Sequence, residues 1–553
     1  MSETNASTDL RGALDALFAD VNRSDAPGLV VGVAHQGRAL YRRGFGLASL
    51  EHGVTNTVWT RMRIGSTSKH FTCLAALLLA EEGRLDIDAS VRRYLPELPA
   101  LQGEPSLRQL MQHTGGYRCY LDVGFLADGE TAIKPKGEAL SSQMRQSCVN
   151  FAPGEKMMYC NGGYHLLSHI IERVSGQPFR QFLRERIFLP LGMRDTAQVP
   201  SDFEIHRGMA TLHDPVPKEQ GGGWRRGIFP TEDLGGEGAI ISTIDDMLTW
   251  LAHLRGPKTV GSEASWRQML TPARLNNGTE IPYALGLMVH PYRGVGVVHH
   301  AGGVIGGACQ MITVPSHELD IIIMSNGALV SPTALAFQVI DTVLADALPA
   351  ERAAKPDSEP FKPMLGTRYH APGSGLVIGF DEAAEGKLGL RILNNPPLPL
   401  TENGSVLQFG VEDIAAGPLC VSTAALAREG EPPSALDISE GGHVERFERL
   451  PANPPSAEEA SHGLLGRYRA PDLEAQAELR LDEGQLRLEV IGAYGRHTMA
   501  LEPFSTDVFG WREKSTLPLF GVLNLERDAD RRVQALRIDT VRTRGLRFER
   551  LPD

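Results

Sequence analysis

The sequence predicts an α+β domain followed by two all-β antiparallel barrels, and three observations lead to this fold class. Residues 1–348 mix strand-like and helix-like stretches, whereas helical periodicity disappears after a linker at 349–363. Short alternating strands then take over, and an internal repeat with a period of about a hundred residues divides them. We therefore predict one barrel at 364–451, a Pro-rich linker at 452–462 and a second, homologous barrel at 463–553.

The repeat is literal at one point. The hexapeptide R-F-E-R-L-P stands at 446–451 and again, letter for letter, at 547–552. A Leu-Gly pair followed by a tyrosine also recurs, with Tyr369 in the first copy and Tyr468 in the second. Two copies of one module explain both matches.

Within residues 1–348, a β-hairpin precedes a helical middle, and three more strands and a closing helix end the domain. This order suggests that the two ends of the domain meet in one antiparallel sheet. The predicted strands are 28–34, 39–46, 294–303, 308–314 and 319–326, and the predicted helices are 9–25, 67–82, 178–190, 243–255 and 333–346, with one more between Asn161 and Gly176.

Composition and charge exclude several kinds of partner. The net charge is -12 and no basic run offers phosphate contacts, so we expect no nucleic-acid partner. The six cysteines form no C-x-x-C pair, so we expect no metal site and no disulfide framework, and we predict no cofactor. No apolar segment has the length of a membrane span, and the polar N-terminus does not resemble a signal peptide. We therefore expect a cytoplasmic protein with a small-molecule or short-peptide substrate, and a homodimer is possible.

Ser66 and Lys69 form an S-x-x-K motif at the start of the apolar helix predicted at 67–82. A residue three positions along a helix lies one turn away, so the Lys69 amine can reach the Ser66 hydroxyl. Burial disfavours a charged lysine, and a neutral amine can take a proton from a serine. The alternative interpretation is that Ser66 is only an N-cap and Lys69 only a first-turn surface residue.

Two further motifs can contribute to the same chemistry. Tyr159 and Asn161 form a Y-x-N motif in a tight loop, which can hold two side chains in one direction, although a packed tyrosine and a turn asparagine also explain it. His300 begins an H-x-G motif at the end of the strand predicted at 294–303. Because H-x-G occurs four times in the chain, this motif depends on its strand context, and we expect His113, in another copy, to be a structural loop residue.

The order of the three motifs, from Ser66 to Tyr159 to His300, resembles the penicillin-recognising serine hydrolases. Their relatives include class C β-lactamases and D-stereospecific aminopeptidases, and the residues around the motifs are similar to the aminopeptidase branch. The resemblance implies a β-lactamase/DD-peptidase-like catalytic domain with two eight-stranded antiparallel barrels after it. It also implies a serine hydrolase that acts through an acyl-enzyme and releases N-terminal D-amino acids from peptides, amides or esters.

The resemblance also implies a role for each side chain. Ser66 would be the nucleophile, Lys69 would deprotonate it, and Tyr159 would pass the proton to the leaving group. For that task the resemblance implies a depressed phenol pKa near the lysine. Asn161 would orient Lys69 and the substrate amide. His300 stands where many relatives carry a lysine, and would fix the substrate or the tyrosine.

Backbone groups complete the implied site. The N–H groups of Ser66 and Gly303 would form an oxyanion hole, and Gly302 would lie on the substrate-binding strand. In the aminopeptidase branch, a loop of the last barrel presents an acidic residue to the substrate amine. The corresponding segment at 511–518 is shorter here and has no direct counterpart of that residue; Glu513, between Arg512 and Lys514, would stand in for it.

Two other functions stay open at this point. The shorter segment at 511–518 is compatible with an esterase or amidase, or with a DD-peptidase-like hydrolase, on the same scaffold. A non-catalytic binding protein, in which the barrels carry the function, is a third interpretation. The intact set of Ser66, Lys69 and Tyr159 argues against it.

Overall fold

The computed structural model describes residues 3–349, 354–409, 419–513 and 519–552. It contains an α+β domain followed by two closed antiparallel barrels, so the predicted fold class is confirmed. Among the described helices, none combines the length and the apolar character needed to cross a membrane.

The first domain is built around a six-stranded antiparallel sheet. The strands of the whole domain are β1 (Leu29–His35), β2 (Arg38–Phe45), β3 (Leu47–Ser49), β4 (Val54–Thr55), β5 (Met62–Arg63), β6 (Ala197–Gln198), β7 (His213–Pro215), β8 (Trp224–Arg226), β9 (Ile240–Ser242), β10 (Ala273–Arg274), β11 (Glu280–Ile281), β12 (Met288–Tyr292), β13 (Val295–Val304), β14 (Gly307–Val314) and β15 (Leu319–Ser325). The sheet order is β12-β13-β14-β15-β1-β2, and the short strands form small separate sheets.

The pairing of β1 with β15 brings the two ends of the domain together, as the sequence predicts. Leu29 lies opposite Ser325 in this antiparallel pair. The sequence analysis missed β12, which contains Pro291 and lies at the edge of the sheet. Proline cannot donate to a strand ladder and is therefore tolerated on an edge strand, where strand signals are weak.

Helices cover the sheet and form the middle of the domain. They are α1 (Glu3–Leu17), α2 (Lys69–Glu81), α3 (Leu107–Met111), α4 (Tyr120–Asp128), α5 (Glu138–Met144), α6 (Asn161–Ser175), α7 (Phe179–Leu183), α8 (Ile244–Arg255), α9 (Glu263–Leu270) and α10 (Pro332–Val343). Helix α2 is buried from Lys69 to Leu79, as its apolar sequence predicts. It begins later than predicted, because Gly65–Ser68 forms a 3₁₀ turn in front of it.

Each barrel closes through the repeated hexapeptide. The first barrel contains β16 (Arg368–His370), β17 (Val377–Glu382), β18 (Leu388–Ile392), β19 (Leu398–Asn403), β20 (Val406–Phe409), β21 (Leu419–Ser422), β22 (Ala435–Glu440) and β23 (His443–Arg449); after α11 (Ala457–Ala460), the second contains β24 (Gly466–Ala470), β25 (Ala475–Asp482), β26 (Gln485–Ile491), β27 (Arg496–Pro503), β28 (Val508–Arg512), β29 (Phe520–Arg527), β30 (Val533–Thr540) and β31 (Leu546–Arg550). Tyr369 lies opposite Arg449 in one barrel, and Tyr468 lies opposite Arg550 in the other. The repeated hexapeptide thus lies where the last strand of each barrel pairs with its first strand.

The second barrel packs directly on the helical part of the first domain. Arg118 in the first domain is buried and pairs with Asp472 at 2.5 Å, and its Nε donates to the Arg544 carbonyl at 3.1 Å. The core of this barrel is continuous with the core around α2. The first barrel makes a lighter contact, in which His443 Nε2 lies 2.9 Å from the Glu155 carbonyl oxygen.

Candidate active site

Ser66 and Lys69 lie side by side. Ser66 belongs to the 3₁₀ turn, and Lys69 is the first residue of α2. The Lys69 Nζ atom lies 3.0 Å from Ser66 Oγ. The S-x-x-K spacing therefore gives the contact that it predicts.

The amine of Lys69 has two other partners, and both are acceptors. Lys69 Nζ donates to Asn161 Oδ1 at 2.7 Å and to the Glu237 carbonyl oxygen at 2.7 Å. A neutral amine has two N–H bonds and one lone pair. With both N–H bonds engaged, the lone pair faces Ser66 Oγ.

The electrostatics favour this neutral form. Lys69 is fully buried. Desolvation lowers the pKa of Lys69 to about 7, with the Arg542 charge lowering it further and the Glu237 charge opposing the change. A substantial fraction of Lys69 is therefore neutral near pH 7, in the state that can accept a proton.

Tyr159 lies over the same amine. Lys69 Nζ is 4.7 Å from the centroid of the Tyr159 ring, and the Tyr159 hydroxyl is buried. Burial raises the pKa of Tyr159 above its ordinary value, although Ser66 and Arg542 oppose the rise. The expectation of a depressed phenol pKa is therefore wrong, because desolvation outweighs the neighbouring cations. Tyr159 is therefore a neutral phenol, and Lys69 is the neighbouring group whose pKa lies near 7.

Tyr283 links two histidines, His113 and His300, that lie beside Tyr159. His113 Nδ1 accepts a hydrogen bond from the Cys160 N–H at 3.1 Å, so its Nε2 carries a proton toward Tyr283 Oη, 3.1 Å away. Tyr283 Oη in turn lies 3.0 Å from His300 Nε2, and His300 Nδ1 lies 2.5 Å from the Ala301 carbonyl oxygen. This chain is satisfied at each step. It fixes the loop at Cys160, directly after Tyr159.

His113 therefore lies closer to the chemistry than the expected structural loop role suggests. Its ring centroid is 4.1 Å from that of Tyr159, whereas that of His300 is 6.3 Å away. Burial and the nearby Lys69 lower the pKa of His300 to about 3, so it is a neutral hydrogen-bonding residue. His300 therefore brings no positive charge to the site.

Glycines let strand β13 pack closely against the 3₁₀ turn that contains Ser66. A Cβ atom on Gly302 would lie 1.9 Å from the Ile64 carbonyl oxygen, and one on Gly65 would lie 2.8 Å from the Gly303 nitrogen. Gly65 also has a φ of +53°. A side chain does not fit at Gly65 or Gly302. The backbone N–H groups of Ser66 and Gly303 therefore lie where the turn and the strand touch.

Glu237 is a site residue that the sequence analysis missed. Its backbone oxygen holds Lys69, and its buried carboxylate accepts from Tyr120 Oη at 2.7 Å and lies 3.3 Å from His165 Nδ1. Burial would raise the pKa of Glu237, but His165 and Tyr120 lower it overall, so the carboxylate is charged. A lone Glu in a Gly-rich stretch carries no motif from which this contact could be predicted.

Three side chains with metal-ligating atoms cluster next to Glu237, which His165 contacts. His165 Nε2 and His169 Nε2 are 3.1 Å apart, and His165 Nε2 is 3.8 Å from Asp233 Oδ2. The ligand atoms of these three residues all lie within 4.8 Å of one another. Two imidazoles and a carboxylate are a donor set suited to zinc, and a histidine oriented by a carboxylate is common in such sites.

Arg542, from the loop between β30 and β31, is the second residue that the sequence analysis missed. Its guanidinium carbon is 5.0 Å from the Tyr159 ring centroid. The contact crosses a domain boundary, and 383 residues separate the two positions. Only the docking of the second barrel brings them together, so no local pattern could reveal it.

Among the described residues, Glu513 makes no contact with Ser66, Lys69 or Tyr159. Its Oε1 lies 3.0 Å from His497 Nε2, inside the second barrel. Burial and the charge of Glu130 raise the pKa of Glu513 to about 7. The segment 514–518, where the sequence analysis placed the rest of the loop, lies outside the described residues. The substrate-binding role expected for Glu513 therefore gains no contact from the described geometry.

Comparison with known proteins concerns the family and the fold of the chain. The profile of the family described as Beta-lactamase matches residues 14–343. The chain is 29% identical over 510 residues to a protein named D-aminopeptidase from Cereibacter sphaeroides, covering 90% of this chain and 89% of that one. It is 26% identical over 496 residues to a D-aminopeptidase from Brucella anthropi, covering 88% and 87%. The octameric penicillin-binding protein homologue from Pyrococcus abyssi shares the fold, with a TM-score of 0.52 at 18% identity over 98% of this chain and 99% of that chain.

Proposed function

The chain belongs to the beta-lactamase family, and from this premise we propose that it is a serine hydrolase that releases N-terminal D-amino acids from short peptides, amides or esters. The observation that carries the proposal is the hydrogen bonding of Lys69. Lys69 Nζ lies 2.7 Å from Asn161 Oδ1, 2.7 Å from the Glu237 carbonyl oxygen and 3.0 Å from Ser66 Oγ. In the neutral amine, two N–H bonds donate to the first two oxygens, and the lone pair is left to accept the proton of Ser66. A buried amine in this state is a base beside a nucleophile.

In the proposed reaction, Lys69 removes the proton from Ser66 as Oγ attacks the substrate carbonyl. The N–H groups of Ser66 and Gly303 stabilise the oxyanion, at about 3 kcal/mol for each donor. Tyr159 passes the proton from Lys69 to the leaving amine or alcohol, which leaves an ester on Ser66. Water then attacks this ester, and the same groups act in reverse.

Support for D-amino acid substrates comes from the relatives. The two D-aminopeptidases align over 88% and 90% of this chain, so the similarity includes both barrels as well as the catalytic domain. A similarity limited to the catalytic domain would not have extended over the barrels. We therefore propose the aminopeptidase reaction as the activity of the whole chain.

An esterase or amidase on the same scaffold is the alternative, and one observation favours it. Glu513, the acidic residue expected to hold the substrate amine, contacts His497 instead of the Ser66 group. A hydrolase that does not bind a free amine would have no use for a carboxylate there. The two candidates differ in whether activity depends on an unblocked D-residue.

The test has two stages. A fluorophosphonate probe should label the protein, and Ser66→Ala should abolish the label; labelling that persists in this variant would contradict Ser66 as the nucleophile. D- and L-alanine p-nitroanilides and p-nitrophenyl acetate then separate the candidates. Faster cleavage of the D-anilide than of the L-anilide supports the aminopeptidase, whereas cleavage of the acetate alone supports the esterase.

A further inference from the structure

Two arginines of the second barrel lie in one short loop beside Tyr159. Arg542 and Arg544 belong to the segment 541–545, between β30 and β31. Arg542 lies over the Tyr159 ring, and Arg544 lines a cavity of about 80 Å³ that Tyr159 also lines. The loop thus places two cationic side chains next to the proposed proton relay.

The backbone of this loop is firmly held. Asn150 uses both ends of its amide, donating to the Arg542 carbonyl at 3.0 Å and accepting from the Arg544 N–H at 2.8 Å. Asp122 Oδ2 accepts from Thr540 Oγ1 at 2.6 Å. These bonds come from the first domain, so the position of the loop is fixed relative to Tyr159.

The side chains of the two arginines, in contrast, have unused donors. The Nε of Arg542 and the Nη1 of Arg544 are buried without a hydrogen-bond partner among the described residues. Within the same residues, neither guanidinium lies within ion-pair distance of a carboxylate. Against the effect of burial, the nearby charge of Asp122 raises the pKa of Arg542, and that of Asp539 opposes the lowering of the pKa of Arg544 by burial, so both charges are partly balanced while these N–H donors are not bonded. Buried polar groups in proteins are almost always paired, and a buried charge without a partner is costly. The loop therefore has the character of an anion site whose ligand comes from outside the chain.

The cavity beside Arg544 has a definite relation to the reaction. Its wall combines Met157 and Tyr159 of the first domain with apolar side chains of both barrels. Glu440 also lines it, but Glu440 Oε2 lies 3.9 Å from Lys156 Nζ, which partly neutralises its charge. In the proposed reaction Tyr159 gives its proton to the leaving group, so a leaving group held at Tyr159 would extend toward this cavity.

From this juxtaposition we infer that Arg544, supported by the charge of Arg542, binds the carboxylate of the leaving group, so that the preferred substrates are short peptides with a free C-terminal carboxylate. The inference rests on the proposed function. An anion of this kind fits both observations: it satisfies the unused guanidinium donors, and in a leaving group of one amino acid the carboxylate is only two bonds from the nitrogen that receives the proton. Arginine is the side chain best suited to carboxylates.

The test compares two substrates that differ only in that charge, D-alanyl-glycine and D-alanyl-glycinamide. We expect the wild-type protein to have the higher kcat/KM for the free acid. Arg544→Gln should lower kcat/KM for the acid by about 10- to 100-fold, the effect of losing a hydrogen bond to a charged group. The loss should appear mainly in KM, because the contact exists before and during the chemical step. The amide should change by less than about threefold.

Matched controls separate this role from a structural one. Arg531 lies in the same barrel with an 80% exposed side chain, so Arg531→Gln should leave the acid-to-amide ratio unchanged. Arg544→Lys should recover part of the preference, because it keeps the charge. An equal loss for both substrates in Arg544→Gln, or an unchanged ratio, would overturn the inference.

The outcome in which neither peptide is cleaved is also informative. It refutes the aminopeptidase proposal. Binding of an anion at Arg544 is then measured as inhibition of p-nitrophenyl acetate hydrolysis. Competition by N-acetylglycine, but not by N-acetylglycinamide, that disappears in Arg544→Gln would support the site. Equal inhibition of the wild-type protein by the two compounds would overturn it. Equal inhibition of the wild-type protein and of Arg544→Gln by N-acetylglycine would overturn it as well.

Discussion

The pKa of Lys69 should control the pH dependence of the rate, and two substitutions should shift that dependence in opposite directions. If neutral Lys69 is the base, kcat/KM should rise with pH and level off above a midpoint near the Lys69 pKa of about 7. The charge of Arg542 lowers this pKa and that of Glu237 raises it. Arg542→Gln should therefore move the midpoint to higher pH, and Glu237→Gln should move it to lower pH.

The size of the shift follows from the geometry. Lys69 Nζ and the Arg542 guanidinium carbon lie 4.7 Å and 5.0 Å from the same ring centroid, so they are at most about 10 Å apart. At an effective dielectric constant of about 20, two charges at this distance interact by about 1.7 kcal/mol, which is about one pKa unit. The Glu237 effect on the Lys69 pKa is larger than that of Arg542, so its shift should be at least as large.

The assay is the initial rate of p-nitrophenyl acetate hydrolysis between pH 5 and pH 9, because this substrate has no titrating group in that range. At pH 5, only about 1% of a group with a pKa of about 7 is neutral, so the rising limb should span about two orders of magnitude. Arg531→Gln, a surface change in the same barrel, should leave the midpoint in place. Shifts of the same sign in the Arg542 and Glu237 variants would refute Lys69 as the base.

Three further predictions follow from the same geometry. Tyr159→Phe should lower kcat/KM by about 10²- to 10⁴-fold with the unfolding temperature retained, measured with a D-alanine anilide, and a wild-type rate would contradict the proton relay. Gly302→Ala should destabilise the fold in urea unfolding, because its Cβ would lie 1.9 Å from the Ile64 oxygen, whereas Gly303→Ala, whose Cβ meets nothing within 4 Å, should be tolerated; equal stability of the two would contradict this. Because the pKa of Lys69 falls from 10.5 to about 7 on folding, the unfolded chain binds the proton more tightly and native stability should rise from pH 7 to pH 9.5 by about 3 kcal/mol. Lys69→Met should remove that rise, and an unchanged pH dependence in urea unfolding would contradict the buried lysine.

Local geometry explains why part of the site was predictable from the sequence. The contact between Ser66 and Lys69 depends on a three-residue spacing at a helix start, and that spacing is visible in the letters. The apolar character of α2 likewise predicts its burial. The two barrels were predictable because their repeat is literal. Each of these inferences uses residues that are close in sequence or copied within it.

The residues that were missed depend on tertiary structure. Tyr283 links His113 to His300 through three separate segments of the chain, and none of the three shows the other two in its local pattern. Glu237 acts first through a backbone carbonyl, which any residue type could supply. The raised pKa of Tyr159 could not be predicted either, because it depends on how far the completed fold excludes water.

The position of His300 gives the second barrel a chemical role. In the resembling family many members carry a lysine where this chain has His300, and here burial and Lys69 hold the pKa of that histidine at about 3. The strand therefore brings no positive charge to Tyr159. Arg542 brings one from the second barrel, 5.0 Å from the same ring. Since that arginine reaches the site only when the second barrel is docked, the charge balance of the site depends on the contact between the two domains, and a chain whose second barrel is undocked should lose the pKa balance of Lys69 as well as the leaving-group cavity.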